Sequence, residues 1–204
     1  MKHFGDILFK GAVAEEQTRR GSRAAYAKMT ASPAPDGFTE REKEFIEARD
    51  SFYIASVSED GWPYIQHRGG PAGFLRVVDI NTLAFGDYRG NKQYVSTGHF
   101  ARNNRAALFL MDYPNRRRLK ILATVNVYDR DDAPELAARV SIDGDGHVER
   151  VFRFAVEAFD WNCPQFITPR FSADDMRELL APQIAEMERL QAENELLKAQ
   201  LAQR

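Results

Sequence analysis

The 204 residues include a single cysteine, Cys163, so no intrachain disulfide is open to the fold, and a reducing compartment is expected. Long apolar runs are missing too. The longest, such as "AALFLM" from Ala106, fall far short of the roughly 20 residues that a membrane-spanning helix needs. The opening "MKHFGDILFKGAVAEEQ" is too acidic for a secretory signal. Together these absences predict a soluble, cytoplasmic protein with no membrane partner. An excess of either charge sign is also lacking. The net charge of −2 excludes the strongly basic face of a general nucleic-acid binder, so any anion binding must come from local basic clusters. The histidines His3, His67, His99 and His147 show no metal-ligand spacing with Cys163 or with carboxylates, and P-loop and serine-hydrolase signatures are absent. Cys163 precedes Pro164 in a loop with no base beside it, which reads as an inert thiol rather than a nucleophile.

What is present is a chain that is 44% hydrophobic, enough for one sizeable core plus appendages. It divides into three parts. Residues 1–50 are polar and helix-prone: "GSRAAYAKM" reads as a helix, "TASPAPDG" breaks it, and Thr39 with Glu42 has capping-box spacing ahead of "REKEFIEAR". Within 51–170 the period changes to β-branched and aromatic runs, "FYIASV", "YIQH", "FLRVV", "TLAFGD", "AALFLMD", "LKILATVNVY" and "VFRFAVEAF". Asp60-Gly61 predicts a hairpin between the first two. Helical interruptions are expected near "NKQYVSTGHFA" and "PELAARV". Six or seven short strands imply a barrel or sandwich.

Residues 171–204 are helical. Ser172 is a candidate N-cap, Pro182 suits the first turn of a second helix, and the sequence then runs to its end without a breaker. With Met187 at heptad position a, Leu190 falls at d, Asn194 at a, Leu197 at d and Leu201 at a. Glu193 at g would meet Lys198 at e of a parallel partner. A short coiled coil and a single amphipathic helix lying on the barrel are both open.

Three basic turns stand at strand ends. His67 and Arg68 precede Gly69 and Gly70 in "QHRGGPAG". Arg89 and Lys92 lie in "RGNKQ" and flank the point, Asn91 or Lys92, where a helix is expected to begin and to offer free N–H groups to an anion. Arg116, Arg117 and Arg118 occupy "DYPNRRRLKI". An arginine in a turn is usually solvated, so it is the joint pattern that points to an anionic ligand in one cleft.

The order "QHR…FLRVVD…LAFGDYRGNKQ…AALFLMDYPNRRRLKI" resembles the FMN-binding split barrel of the pyridoxamine 5′-phosphate oxidase-like superfamily, in its flavin-nucleotide-binding branch, over residues 40–170. The resemblance implies a mainly β (β+α) split barrel with flanking helices, to which the heptad pattern adds a zipper-like C-terminal helix. It also implies a homodimer with FMN at the subunit interface, acting on a small molecule as an FMN-dependent oxidoreductase. Arg68 resembles the arginine that opens the family's R-x-V-L-L-K strand. Gly90, Asn91 and Lys92 fall on its phosphate-binding S-R-K, of which the lysine is kept, with Tyr88, Arg89 and Gln93 beside it. Arg117, Arg118, Leu119 and Lys120 fall on R-Q-V-R, placing Arg118 where a glutamine meets the isoalloxazine. The implied cofactor contacts are therefore His67, Arg68, Gly69, Gly70, Tyr88, Arg89, Asn91, Lys92, Gln93, Arg117, Arg118 and Trp161. Trp161 joins them because the segment after the last strand commonly reaches the neighbouring subunit's cofactor, although a tryptophan there more often serves core or interface. Fixed cations suit the dianionic FMN phosphate, small glycines let backbone approach a ligand, and a cation near the flavin ring would favour its reduced, anionic form. The deazaflavin F420 and haem are the alternative cofactors, and a non-enzymatic binding or storage protein is the alternative role. No catalytic residue is assigned.

Overall fold

The computed structural model describes residues 1–90, 92–142, 147–161 and 164–203. Asn91 and Cys163, both singled out from sequence, lie outside them. Two compact units are distinguished, residues 1–112 with 117–165, and residues 113–116 with 166–204.

In the first unit every apolar run becomes a strand: β1 (Ser51–Val57), β2 (Pro63–Gly69), β3 (Arg76–Asp79), β4 (Thr82–Tyr88), β5 (Arg105–Asp112), β6 (Arg117–Asp129) and β7 (Val148–Trp161). They form one antiparallel sheet in the order β2-β1-β5-β6-β7-β4-β3. The β1–β2 hairpin turns where Asp60-Gly61 predicts it, with Gly61 at φ 86° and its N–H donating to Ser58 O at 3.0 Å. β1 alternates, with Phe52, Ile54 and Ser56 buried and Tyr53 exposed, as a strand with one face on the core must. β4 differs because Thr82 through Asp87 are all buried. Its inner face carries Leu83 and Phe85 into the main core, and Ala84 meets Val140, Val148 and Val151 on the other side. The sheet curls on itself: Phe52 of β1 lies 5.5 Å from Phe85 of β4, four places along the strand order, edge to face. This is the split barrel.

Helices flank it: α1 (Phe4–Leu8), α2 (Ala12–Arg19), α3 (Arg23–Thr30), α4 (Glu40–Glu47), α5 (Val95–Arg102) and α6 (Pro134–Val140). The chain start is tied to the barrel where β7 carries an extra residue. Register shifts at Leu122/Ala123, leaving Glu157 unopposed, and its carbonyl accepts the Lys2 N–H at 2.8 Å while its carboxylate pairs with Lys2 Nζ at 2.9 Å. One sequence expectation is corrected at α5. The helix begins at Val95, not at Asn91 or Lys92, because Lys92 (φ 57°) and Tyr94 (φ 53°) hold left-handed conformations that cannot belong to a right-handed helix.

The second unit contains α7 (Ala173–Ala202). Ser172 caps it as expected, its Oγ accepting the Asp175 N–H at 3.0 Å while the Asp175 carboxylate accepts the Ser172 N–H at 2.7 Å. The separate helix expected to start at Pro182 does not exist. Pro182 lies inside one continuous helix: it forfeits a single backbone bond, whereas the turns before it are too few to stand alone.

Glu42 joins α4 to the end of β7. Its carboxylate accepts the Thr39 N–H at 3.1 Å, the Thr39 hydroxyl, and Trp161 Nε1–H at 2.7 Å. Burial pushes the carboxyl pKa up, but the bonds from Thr39 and Trp161 outweigh it and hold the group below the usual carboxylate range. A depressed folded-state pKa means that this contribution to stability is complete above the unfolded carboxylate value of about 4.3 and is lost as pH falls through the lower folded value. Glu42→Ala removes the cap and strands the indole N–H, so urea denaturation near neutral pH should read a loss of about 2–3 kcal/mol. That loss should shrink below pH 4, and a loss independent of pH would sink the assignment.

Candidate functional site

Asp87, at the end of β4, is a buried carboxylate held by two arginines. Arg68 of β2 donates from Nη1 to Oδ1 at 2.9 Å, and Arg150 of β7 donates from Nε and Nη2 to Oδ2 at 3.0 and 2.8 Å. The geometry has local causes. Asp87 lies opposite Arg150 in register, and a shift at Asp87/Tyr88 leaves Glu149 unopposed, so the strand bends beside the pair. Arg68 lies opposite Phe52 on the inner face of β2, and its guanidinium rests over the Phe85 and Phe152 rings at 5.5 and 5.2 Å. Its Nε is buried with no hydrogen-bond partner. Burial works against the Arg150 charge, but Asp87, and after it Tyr94, hold the guanidinium pKa above its ordinary value. Arg150 also packs over the Tyr94 ring at 4.8 Å.

A cavity of about 250 Å³ opens here, lined by Gln66, Arg68, Asp87, Lys92, Tyr94, Arg150 and the first turn of α5. The free N–H groups of Val95, Ser96 and Thr97 belong to that turn. Ser96 Oγ donates to Gln66 Oε1 at 2.9 Å, fixing the helix start to β2. A second cavity of about 240 Å³ shares Arg68, Asp87 and Tyr88 with the first and adds His67, Gly69, Gly70 and Phe74.

Seven of the residues singled out from sequence thus gather around Arg68: His67, Arg68, Gly69, Gly70, Tyr88, Lys92 and Gln93. Arg89 is exposed at the strand end and lines neither cavity. Gly70 is explained by its own chain, since a Cβ there would lie 2.8 Å from Phe74. Arg117 pairs with buried Asp112 at 2.6 Å and stands over the Phe45 ring. Arg118 lies opposite Met111 on the outer face of the sheet. Along β6 it stands roughly 35 Å from Asp129, which faces Arg150, at about 3.3 Å per residue. Trp161 packs edge to face on Phe45 at 4.6 Å, with Arg41 over its ring at 4.5 Å, and lines neither cavity. Sequence reasoning passed over Asp87, Arg150 and Tyr94. Asp87 ends an apolar strand, and Arg150 follows Glu149 like one half of a solvated charge pair, so neither carries a local signal.

The pyridoxamine 5′-phosphate oxidase family profile matches residues 38–159. The chain belongs to that family. HupZ from Group A Streptococcus is 17% identical, with a TM-score of 0.50 over 66% of this chain and 99% of that one. A Lactobacillus delbrueckii protein of the pyridoxamine 5′-phosphate oxidase type is 22% identical, with a TM-score of 0.48 over 62% and 95%. HutZ, the haem storage protein of Vibrio cholerae, is 16% identical, with a TM-score of 0.43 over 59% and 92%. No curated protein matches the chain. Among the described residues no helix is long and apolar enough to cross a membrane, and no group of His, Cys, Asp and Glu is placed to hold a metal.

Asp87→Asn would leave two partly buried guanidinium groups short of their counter-charge. Urea unfolding should read a loss of about 3 kcal/mol, in the range for breaking one side of a buried ion pair. Inorganic phosphate should stabilise this variant more than the parent, because an added anion replaces the missing one. Equal stabilisation of both would separate the cavity from anion binding.

Proposed function

We propose that the chain binds FMN with its phosphate between Arg68, Arg150, Lys92 and the start of α5, and acts as an FMN-dependent oxidoreductase on a small molecule. The observation that carries this reading is Arg68. Its guanidinium lines the cavity, yet its Nε is buried without a partner, a cost that a bound acceptor would remove. The charge count supports an anion: among the residues lining the cavity, three cations, Arg68, Arg150 and Lys92, stand against one carboxylate, Asp87, and with Glu149 3.5 Å from Arg150 outside the lining the site still keeps a positive excess. The N–H groups at the start of α5 add uncharged donors. Backbone strain at Lys92 and Tyr94 falls within this same cavity, the pattern of a loop shaped for a ligand.

When bound, FMN supplies the electron-transfer chemistry. The chain's own part is to seat the phosphate, exclude water and orient the ligand. A cytoplasmic homodimer fits this reading, because the outer face of β1, β2 and β5 presents Tyr53, Ile65 and Phe109 as a half-exposed apolar patch. His67 and Arg118 share that outer face, which is compatible with Arg118 meeting a flavin shared between subunits.

Titration of apo-protein with FMN tests the seat. Arg68→Ala and Lys92→Ala should each weaken binding ten- to a hundred-fold, about 1.5–3 kcal/mol per charge-assisted contact. Unchanged affinity in both would move the phosphate elsewhere, and a haem or deazaflavin absorption spectrum from the purified protein would replace FMN itself. Arg118→Gln should lower the flavin reduction potential while leaving affinity nearly intact. Bleaching by a nicotinamide cofactor, followed by reoxidation with a candidate substrate, separates the enzyme from a storage protein.

A further inference from the structure

We propose that α7 pairs with α7 of a second copy as a parallel, in-register, two-stranded coiled coil. Met187, Leu190, Leu197 and Leu201 are all exposed, at 59%, 46%, 50% and 68%, and no residue of the helix is buried. Four large apolar side chains on a 3.5-residue repeat form one seam, and a seam of that period is covered by another helix rather than by a flat surface. Pro182 falls at position c, away from the seam, so its ring and missing N–H leave the contact intact.

Charge decides between a second copy running parallel and one running antiparallel. In the parallel arrangement Glu193 at g faces Lys198 at e of the partner, an attractive pair repeated by symmetry. The antiparallel arrangement that preserves apolar pairing sets Glu186 against Glu193 and Arg177 against Lys198, so every cross-helix charge pair repels. Asn194 agrees with the parallel form. At an a position it meets its own copy only when the chains run in register, and the two amides then bond each other inside the seam. Within one helix the charges are already arranged compatibly: Arg189 pairs with Glu186 at 2.8 Å and Glu193 at 3.1 Å, and Lys198 with Glu195 at 2.9 Å, which holds these side chains along the seam flanks.

The test is disulfide trapping in the full chain. Cys163→Ser removes the single native cysteine, and Leu197→Cys then places a thiol at d, with Ala199→Cys as its control at f on the far side of the helix. Both positions are exposed, so neither substitution threatens folding. The parallel seam brings the two d thiols within disulfide reach, and Leu197→Cys should cross-link about tenfold or more faster than Ala199→Cys under mild oxidation. A dimer held elsewhere in the chain would bring both positions together equally, so equal rates would overturn the proposal. So would preferential trapping of Leu197→Cys against Leu180→Cys in a mixture of the two variants, the signature of the antiparallel form.

Discussion

One carboxylate closes the barrel. Asp87 sits on the sixth strand of the sheet order, yet it bonds Arg68 on the first and Arg150 on the fifth, so its two oxygens tie the sheet's ends together. A curled antiparallel sheet needs something to hold its edges at the right separation, and aromatic packing of Phe52, Phe85 and Phe152 does most of that without direction. The ion pairs add direction. They fix where Arg68 lies over Phe85 and Phe152, and so where its remaining N–H is left over. The cost of burying this charge cluster is offset only if its polar atoms are satisfied, and one of them is not.

The strand beside it makes the arrangement possible. β4 is buried on both faces, which removes water from one side of Asp87, and the irregular pairing at Asp87/Tyr88 turns the chain toward the loop that leads to α5. That loop then spends left-handed conformations at Lys92 and Tyr94 to bring a cation, an aromatic ring and a helix start to the same cavity. Strain of this kind costs on the order of 1–3 kcal/mol per residue and survives because Ser96 and Gln66 fix the helix start to β2.

Strands were legible in the sequence because each carries its own signal: β-branched and aromatic runs bounded by Gly, Pro and Asp read as strands whatever surrounds them. The caps at Thr39 and Ser172 were legible for the same reason, each being encoded within four residues. Arg68 and Lys92 could be named because a cation beside glycine at a strand end is locally conspicuous. Asp87 and Arg150 could not, since their importance lies in being 63 residues apart and opposite each other. The start of α5 could not be placed from sequence because no local rule puts Lys92 and Tyr94, both lining the cavity, into left-handed conformations. Pro182 misled in the opposite sense, since a rule about helix starts was applied where the turns before it are too few to stand as a helix of their own.

The separation between the two basic regions has its own consequence for how a flavin would be held. Arg68 faces inward from β2 and Arg118 faces outward from β6, so the phosphate seat and the proposed ring contact belong to opposite faces of one sheet. The outward face carries Tyr53, Ile65 and Phe109, an apolar surface of the kind that a partner covers. On the proposed FMN reading, a role for both arginines at one cofactor would require them to come from different subunits, and dimerisation would then be a condition of tuning the flavin. Phosphate affinity would then survive dissociation of the barrels better than the reduction potential does, because the cavity proposed to seat the phosphate, with its Arg68–Asp87–Arg150 pairs, is formed within one chain.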